Sequence, residues 1–149
     1  MQGFFVIPKF QATNPNLLSI IGLIFASFFV MESTYDTKYD LDQRTFSFAK
    51  SVREYVEKLP KRLTNTEIGR QLIRSAGSVG ANYIEADEAL SRKDFIMRIK
   101  ICKKEAKESR YWLELSKSRP EEKQLKSYLI DESTQLIKIF ATIIKNAGQ

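Results

Sequence analysis

From Asp42 onward, apolar residues recur every three or four positions among charged ones, the period of helices with one buried face. The first such segment spans about 43–59. Asp42 serves as its N-cap, Phe48, Val52, Tyr55, Val56 and Leu59 form its stripe, and Pro60 ends it. The second opens at Asn65 or Thr66 and reaches about Leu90, turning Ile68, Leu72, Ala76, Val79, Tyr83 and Ala86 inward. Ser91 caps the third, Asp94 supplies an acidic form of the capping box, and the segment ends near Ser116 or Lys117. Ser118 and Pro120 begin the fourth, and Glu121 and Glu122 complement its dipole. Its apolar side is Leu125, Leu129, Leu136, Phe140, Ile143 and Ile144, and Ala147 and Gly148 close it. No hairpin-type turn dipeptide and no sustained alternation of strand type occurs. Joints this short between helices this long force neighbours to run antiparallel. The expected fold is all-α, an up-down-up-down four-helix bundle over residues 39–149, preceded by an apolar extension over residues 1–38.

The third segment departs from a simple amphipathic pattern. At 100° per residue, Phe95, Ile99, Cys102, Ala106 and Leu113 share one core-facing stripe. Met97, Ile101, Trp112 and Leu115 form a second apolar strip, surplus to a small bundle and suited to an oligomer interface. Arg92, Lys93, Lys100, Lys103, Lys104, Lys107 and Arg110 occupy the remaining side, where Glu114 is the one acid. A face that only keeps a bundle soluble mixes its signs, so this clustering favours a polyanion as partner. In the second segment, Gly77 and Gly80 each cost about 0.5–1 kcal/mol relative to alanine. Together with Ser75, Ala76, Ser78 and Ala81 they predict a close helix approach.

Leu17 to Met31 is a 15-residue run without a charge, short of the roughly 20 residues a membrane-spanning helix needs. It reads as a weak signal or signal-anchor, as an apolar appendage packed on the bundle, or as the product of an upstream start codon with Met31 the first residue. The abrupt change of character at Met31 and Glu32 favours the last. Membrane association through this run is the least favoured functional reading.

Composition narrows the chemistry. The 149-residue chain is 43% hydrophobic, enough for one core, and its net charge of +6 points toward nucleic acid or an anionic surface. A single cysteine, Cys102, excludes an internal disulfide framework and suits a reducing, cytoplasmic compartment. The absence of histidine removes Cys-His dyads, Ser-His-Asp triads and every histidine-bearing metal site.

Arg74, Ser78, Asn82 and Glu85 on the second segment, with Glu105 and Glu108 on the third, lie beside the apolar stripes. Facing carboxylates in a bundle resemble dinuclear metal sites, but those use Glu-x-x-His pairs. An all-carboxylate Mg²⁺ or Ca²⁺ site lacks a ligand-dense loop. Pairing across helices to fix register is the stronger reading. The stretch from Ser75 to Gly80 (SAGSVG) lacks the lysine and hydroxyl of a phosphate loop. No catalytic residue, no cofactor and no metal is expected.

The string from Gln71 to Leu115, QLIRSAGSVGANYIEADEALSRKDFIMRIKICKKEAKESRYWLEL, resembles the bacterial four-helix bundle proteins encoded by intervening sequences of large-subunit ribosomal RNA genes. These are related to the accessory variability determinant of diversity-generating retroelements. The matching features are Arg74, Ser75, Ser78, Asn82 and Glu85, the Lys93-Asp94-Phe95 helix start, and Glu108. Ala86 stands where many members have glycine, and Glu105 where many have serine. The resemblance implies a short-loop bundle in a ring-like homopentamer without catalytic activity. In the retroelement branch it implies a basic surface for nucleic acid and a reverse transcriptase as partner. The leading expectation is a non-enzymatic homo-oligomer that holds RNA or DNA by its backbone, with a protein-interaction scaffold as the alternative. All the caps and periodic faces lie downstream of Met31, so a chain trimmed to Met31–Gln149 should give the circular dichroism of a helical bundle. An unfolded trimmed chain beside a folded full-length one would make the leading run structural.

Overall fold

The computed structural model describes residues 37–149. Helix α1 spans Thr37–Lys58, α2 Leu63–Asp87, α3 Arg92–Leu115 and α4 Lys123–Ala147, the last preceded by a 3₁₀ turn, Pro120–Glu122. The uncharged run 17–31 lies outside the described residues. No helix among the described residues is long and apolar enough to cross a membrane.

Cross-helix contacts give the topology. Gly69 lies against Val56 and Gly80 against Thr45, so α1 and α2 run in opposite directions. Between α2 and α3, Ser109 Oγ donates to Ser75 Oγ (2.9 Å), the Cys102 thiol approaches the Val79 carbonyl (3.5 Å), and Arg98 pairs with Glu85. On α3 and α4, Arg92 Nε reaches the Ala147 carbonyl (2.6 Å), while Lys126 Nζ reaches the carbonyls of Glu114 (3.2 Å) and Ser116 (2.7 Å) at the opposite end. The square closes where Arg44 grips Glu132 with two hydrogen bonds (2.6 and 2.9 Å), joining α1 to α4. This is the expected up-down-up-down bundle.

The core is the set of stripes read from the sequence. Phe48, Val52 and Tyr55 from α1 meet Leu72, Ala76, Val79 and Tyr83 from α2. Ile99, Cys102, Ala106 and Leu113 from α3 and Leu129, Leu136 and Phe140 from α4 complete it. Burying each large apolar side chain contributes about 1.5–3 kcal/mol. The Tyr55 hydroxyl is buried without being orphaned. Ser116 Oγ donates to the Leu113 carbonyl (2.7 Å), leaving its oxygen to accept from Tyr55 (2.6 Å). Burial, only partly opposed by that bond, raises the phenol above its ordinary pKa.

Three local expectations change. Helix α1 begins at Thr37 rather than after Asp42, because 37–41 holds no glycine or proline and Leu41 extends the buried stripe. Helix α2 opens three residues before Thr66, whose amide bonds the Arg62 carbonyl (2.9 Å), and ends at Asp87 rather than near Leu90. The flanking residue of the 3₁₀ turn is Arg119, not Ser118. Ser91 behaves as read, its hydroxyl accepting from the Asp94 amide (3.1 Å).

Asn65 does not cap α2. It is buried, and its Nδ2 donates to the carbonyls of Pro60 and Lys117 (both 3.0 Å) while its Oδ1 accepts from the Lys117 amide (3.2 Å). One side-chain amide thus ties the α1–α2 joint to the α3–α4 joint. Of the small residues expected to bring helices close, Ser75 does so against Ser109, but the glycine at a tight contact is Gly69: a β-carbon there would sit 2.7 Å from Val56 Cγ1, whereas one on Gly77 would meet nothing within 4 Å.

Asn65→Ala should lower stability by about 1–3 kcal/mol in urea unfolding, since the Lys117 carbonyl and amide lose the side-chain partner that ties the two joints, while the Pro60 carbonyl keeps its bond from the Arg62 amide (2.8 Å). Gly69→Ala should destabilise by about 1–3 kcal/mol despite alanine's helix propensity, because the β-carbon overpacks against a branched side chain. A neutral Gly69→Ala would show that α1 can shift outward at no cost.

Candidate nucleic-acid interface

Helix α3 carries eight cations and four carboxylates, so +4 of the chain's +6 lies on this one element. Arg98 points away from the rest, toward α2, where it pairs with Glu85 and lies 3.6 Å from Asp94. The other seven are the cations of the basic face. The hydrogen bonds of Ser109 and Cys102 fix the α2 side of α3, and those of Arg92 fix its α4 side. At 100° per residue the basic face then lies on the outer, α4-facing side.

The seven cations differ in their engagement. Arg92 is held by the Ala147 carbonyl, which satisfies a group left open at the C-terminus of α4. Lys104 lies 3.3 Å from Glu105, and Arg110 lies 3.6 Å from Glu114 one turn on. Lys103 is half-buried. Lys93, Lys100 and Lys107 are exposed and form no ion pair among the described residues. These three are the ammonium groups most open to an incoming anion.

At the end of the bundle where α2 turns into α3, a cleft of about 640 Å³ separates the first turns of α3 from the end of α4. Arg92, Lys93 and Lys100 stand around a floor of Ile96, Met97 and Ala147. Two further cations, Lys138 and Lys145, extend the positive surface. Both are exposed and lie on the side of α4 opposite its buried stripe. They are spaced seven residues apart in a helix dominated by apolar residues, which hides them from a search for clustered charge.

The second apolar strip divides. Met97 is 56% exposed and Leu115 46%, while Ile101 is half-buried. Trp112 packs in part on its own core, its ring edge-on to Tyr111 and its indole N–H donating to Glu108 Oε1 (3.2 Å). The polar residues expected to fix register separate likewise. Glu85 crosses to Arg98, Asn82 Nδ2 returns to the Ser78 carbonyl (2.9 Å) on its own helix, and Arg74 is exposed. Besides the Cys102 thiol on the Val79 carbonyl, α2 and α3 share a buried contact of Ser75 with Ser109, two small residues whose hydroxyls meet because the helices approach closely there.

The thiol and one lysine of the bundle are committed to the fold. Cys102 is fully buried, and burial raises its thiol to about 12, so it stays protonated and inert near neutrality. No cluster of three metal-ligating side chains exists among the described residues. Desolvation lowers the pKa of Lys126, with nearby Glu114 opposing, and its ammonium is spent on the carbonyls that end α3.

A family model described as 23S rRNA-intervening sequence protein matches residues 37–141. Among solved structures, the chain is similar to a protein of unknown function of the S23 ribosomal protein family from Bacteroides thetaiotaomicron. The two share 31% identity at a TM-score of 0.61, over 70% of this chain and 97% of that one. No curated protein matches. With nearly the whole described bundle matched and a solved relative spanned almost end to end, the chain belongs to the 23S rRNA-intervening sequence protein family.

Proposed function

We propose that the protein is a non-enzymatic, homo-oligomeric binder of nucleic acid that engages the phosphate backbone through the outer face of α3. The observation that carries this reading is the concentration of charge: +4 of +6 on a single helix, with Lys93, Lys100 and Lys107 exposed and in no ion pair among the described residues. Lysines three, four and seven residues apart project to one side of a helix and can follow a line of phosphates. Lysine is a point charge without the planar fork that reads a base edge, so the contact is independent of sequence. Lys138 and Lys145 on α4 widen the same surface. The family's name ties it to 23S rRNA, which makes RNA the first polymer to test.

Repetition of the face in an oligomer turns weak single contacts into useful avidity. The exposed Met97 and Leu115 are the apolar material for such an assembly, and a pentamer is the state its family resemblance implies. A reverse transcriptase partner belongs to the retroelement relatives and has no counterpart among this chain's own features.

The test is fluorescence anisotropy with labelled RNA and DNA over a salt series. Changing Lys93, Lys100 and Lys107 together to Glu should lower the log–log salt slope by about 2–3 for each protomer engaged, at 0.7–0.9 per phosphate contact. Helicity should be unchanged, because all three side chains stand in solvent. Absence of binding by the unmutated protein at low salt, or equal binding by the charge-reversed one, replaces this reading with that of a protein-interaction scaffold.

A further inference from the structure

The cleft between the start of α3 and the end of α4 joins two features that a phosphate surface alone does not need: an apolar floor and cations contributed by both helices. Ile96 and Ala147, both half-buried, form the floor, and Arg92, Lys93 and Lys100 stand over it. Arg92 is held through its Nε by the Ala147 carbonyl, which leaves the other N–H groups of the guanidinium for an anion. The acid of this turn, Asp94, is engaged on the α2 side by Arg98 (3.6 Å). Met97 also borders the cleft, but it projects roughly 100° round the helix from Ile96 and falls beyond Lys93 and Lys100, with the assembly strip.

The antiparallel register sets a second row of cations across the groove. Arg92 meets Ala147 at one end and Lys126 meets Glu114 at the other, so Lys145 stands nearly level with Lys93, and Lys138 with Lys100. All four lysines are exposed, and none is in an ion pair among the described residues. The two pairs are separated by two helical turns, roughly 10 Å along the groove. Further along the pairing stops, because the residue nearly level with Lys107 is the acid Asp131. Cations therefore flank the groove on both sides only near the cleft.

We infer that this cleft binds a single strand of RNA or DNA, seating one unstacked base against Ile96 and Ala147 while the neighbouring phosphates lie between the two lysine rows. The inference rests on the nucleic-acid reading above and adds the form of the polymer. A duplex turns phosphates and sugars outward and keeps its bases stacked inside. It would touch the lysines and leave the apolar floor in water. An unstacked base offers a flat face that covers the floor. That floor carries no hydrogen-bonding pattern of its own, so every base fits and binding stays indifferent to sequence. The volume of about 640 Å³ is within the range, roughly 300–1,000 Å³, of pockets that enclose small ligands, and so has room for a base with its ribose.

The experiment presents one labelled oligonucleotide to the full-length protein, as a single strand and as a duplex, and follows anisotropy over a salt series. The single strand should bind about tenfold tighter. Ile96→Ser should weaken the single strand about fivefold and leave both the duplex and the salt slope unchanged, because it removes apolar contact and no phosphate contact. Lys138→Glu combined with Lys145→Glu should instead lower the slope by about 1–2. The unmutated protein gives a separate readout. Irradiated with an RNA containing 4-thiouridine and digested with trypsin, it should carry the label on the peptide Asp94–Arg98. Equal affinity for the two forms, an unchanged slope in the α4 double variant, or cross-links confined to other peptides would overturn the inference and leave the nucleic-acid reading standing. An Ile96→Ser protein with intact helical circular dichroism and undiminished single-strand affinity would do the same. No binding of either form at low salt would overturn both.

Discussion

The bundle depends on the buried amide of Asn65. Two of the three interhelical joints lie at one end of the molecule: the first has Leu59 in the core, whereas the other, residues 116–119, has no apolar side chain. Asn65 gives both of them backbone partners at once, through Pro60 on one side and Lys117 on the other. A hydrophobic side chain would fill the same space but take the side-chain partner from the Lys117 amide and carbonyl and untie one joint from the other. With the joints fixed, Tyr55 and Ser116 set the depth at which α1 meets the end of α3. Lys126 then closes the carbonyls that α3 leaves open.

That rigidity bears on α3, which has neighbours on only two sides. Facing inward it is held by small residues, Cys102, Ala106 and Ser109, that let α2 come close. Facing outward it carries a half-apolar ridge on one flank and a row of cations on the other. The division is sharp because each flank answers to a different neighbour. Arg98 belongs to the α2 side and is neutralised by Glu85 and Asp94, whereas Lys93, Lys100 and Lys107 are exposed and form no ion pair among the described residues. Positive potential on this surface follows from the helix's rotation about its axis as much as from composition.

Much of this was legible in the sequence, and what was not has a common cause. Stripes such as Leu72, Ala76, Val79 and Tyr83 declare the core because burial and period coincide within one helix. Ser91 declares its cap because the partner amide lies three residues away. Asn65 reads as a cap by the same local logic, yet its decisive partner is Lys117, 52 residues on. Gly77 and Gly80, set among small residues, attract notice as sites of helix contact, but the tight approach is at the isolated Gly69. Trp112 looks like surplus surface on a helical wheel, although its indole is wide enough to reach the core and Glu108 together. The basic face was visible as a cluster. Which of its lysines stand unpaired, and that α4 adds Lys138 and Lys145, depends on side-chain geometry beyond the reach of periodicity.

The way the square closes has a kinetic meaning. The joints between α1 and α2, α2 and α3, and α3 and α4 are a few residues long, so each of those helix pairs forms with little loss of chain entropy. Only the seam between α1 and α4 brings together residues 88 apart, at the bidentate contact of Arg44 with Glu132. Bundles with mostly local contacts fold in microseconds to milliseconds. Docking of the outermost helices therefore closes the longest loop in the bundle and carries its largest entropic cost. A chain with that seam open would show the apolar stripes of both helices to solvent, and at high concentration a neighbour's first helix could fill the gap in place of its own.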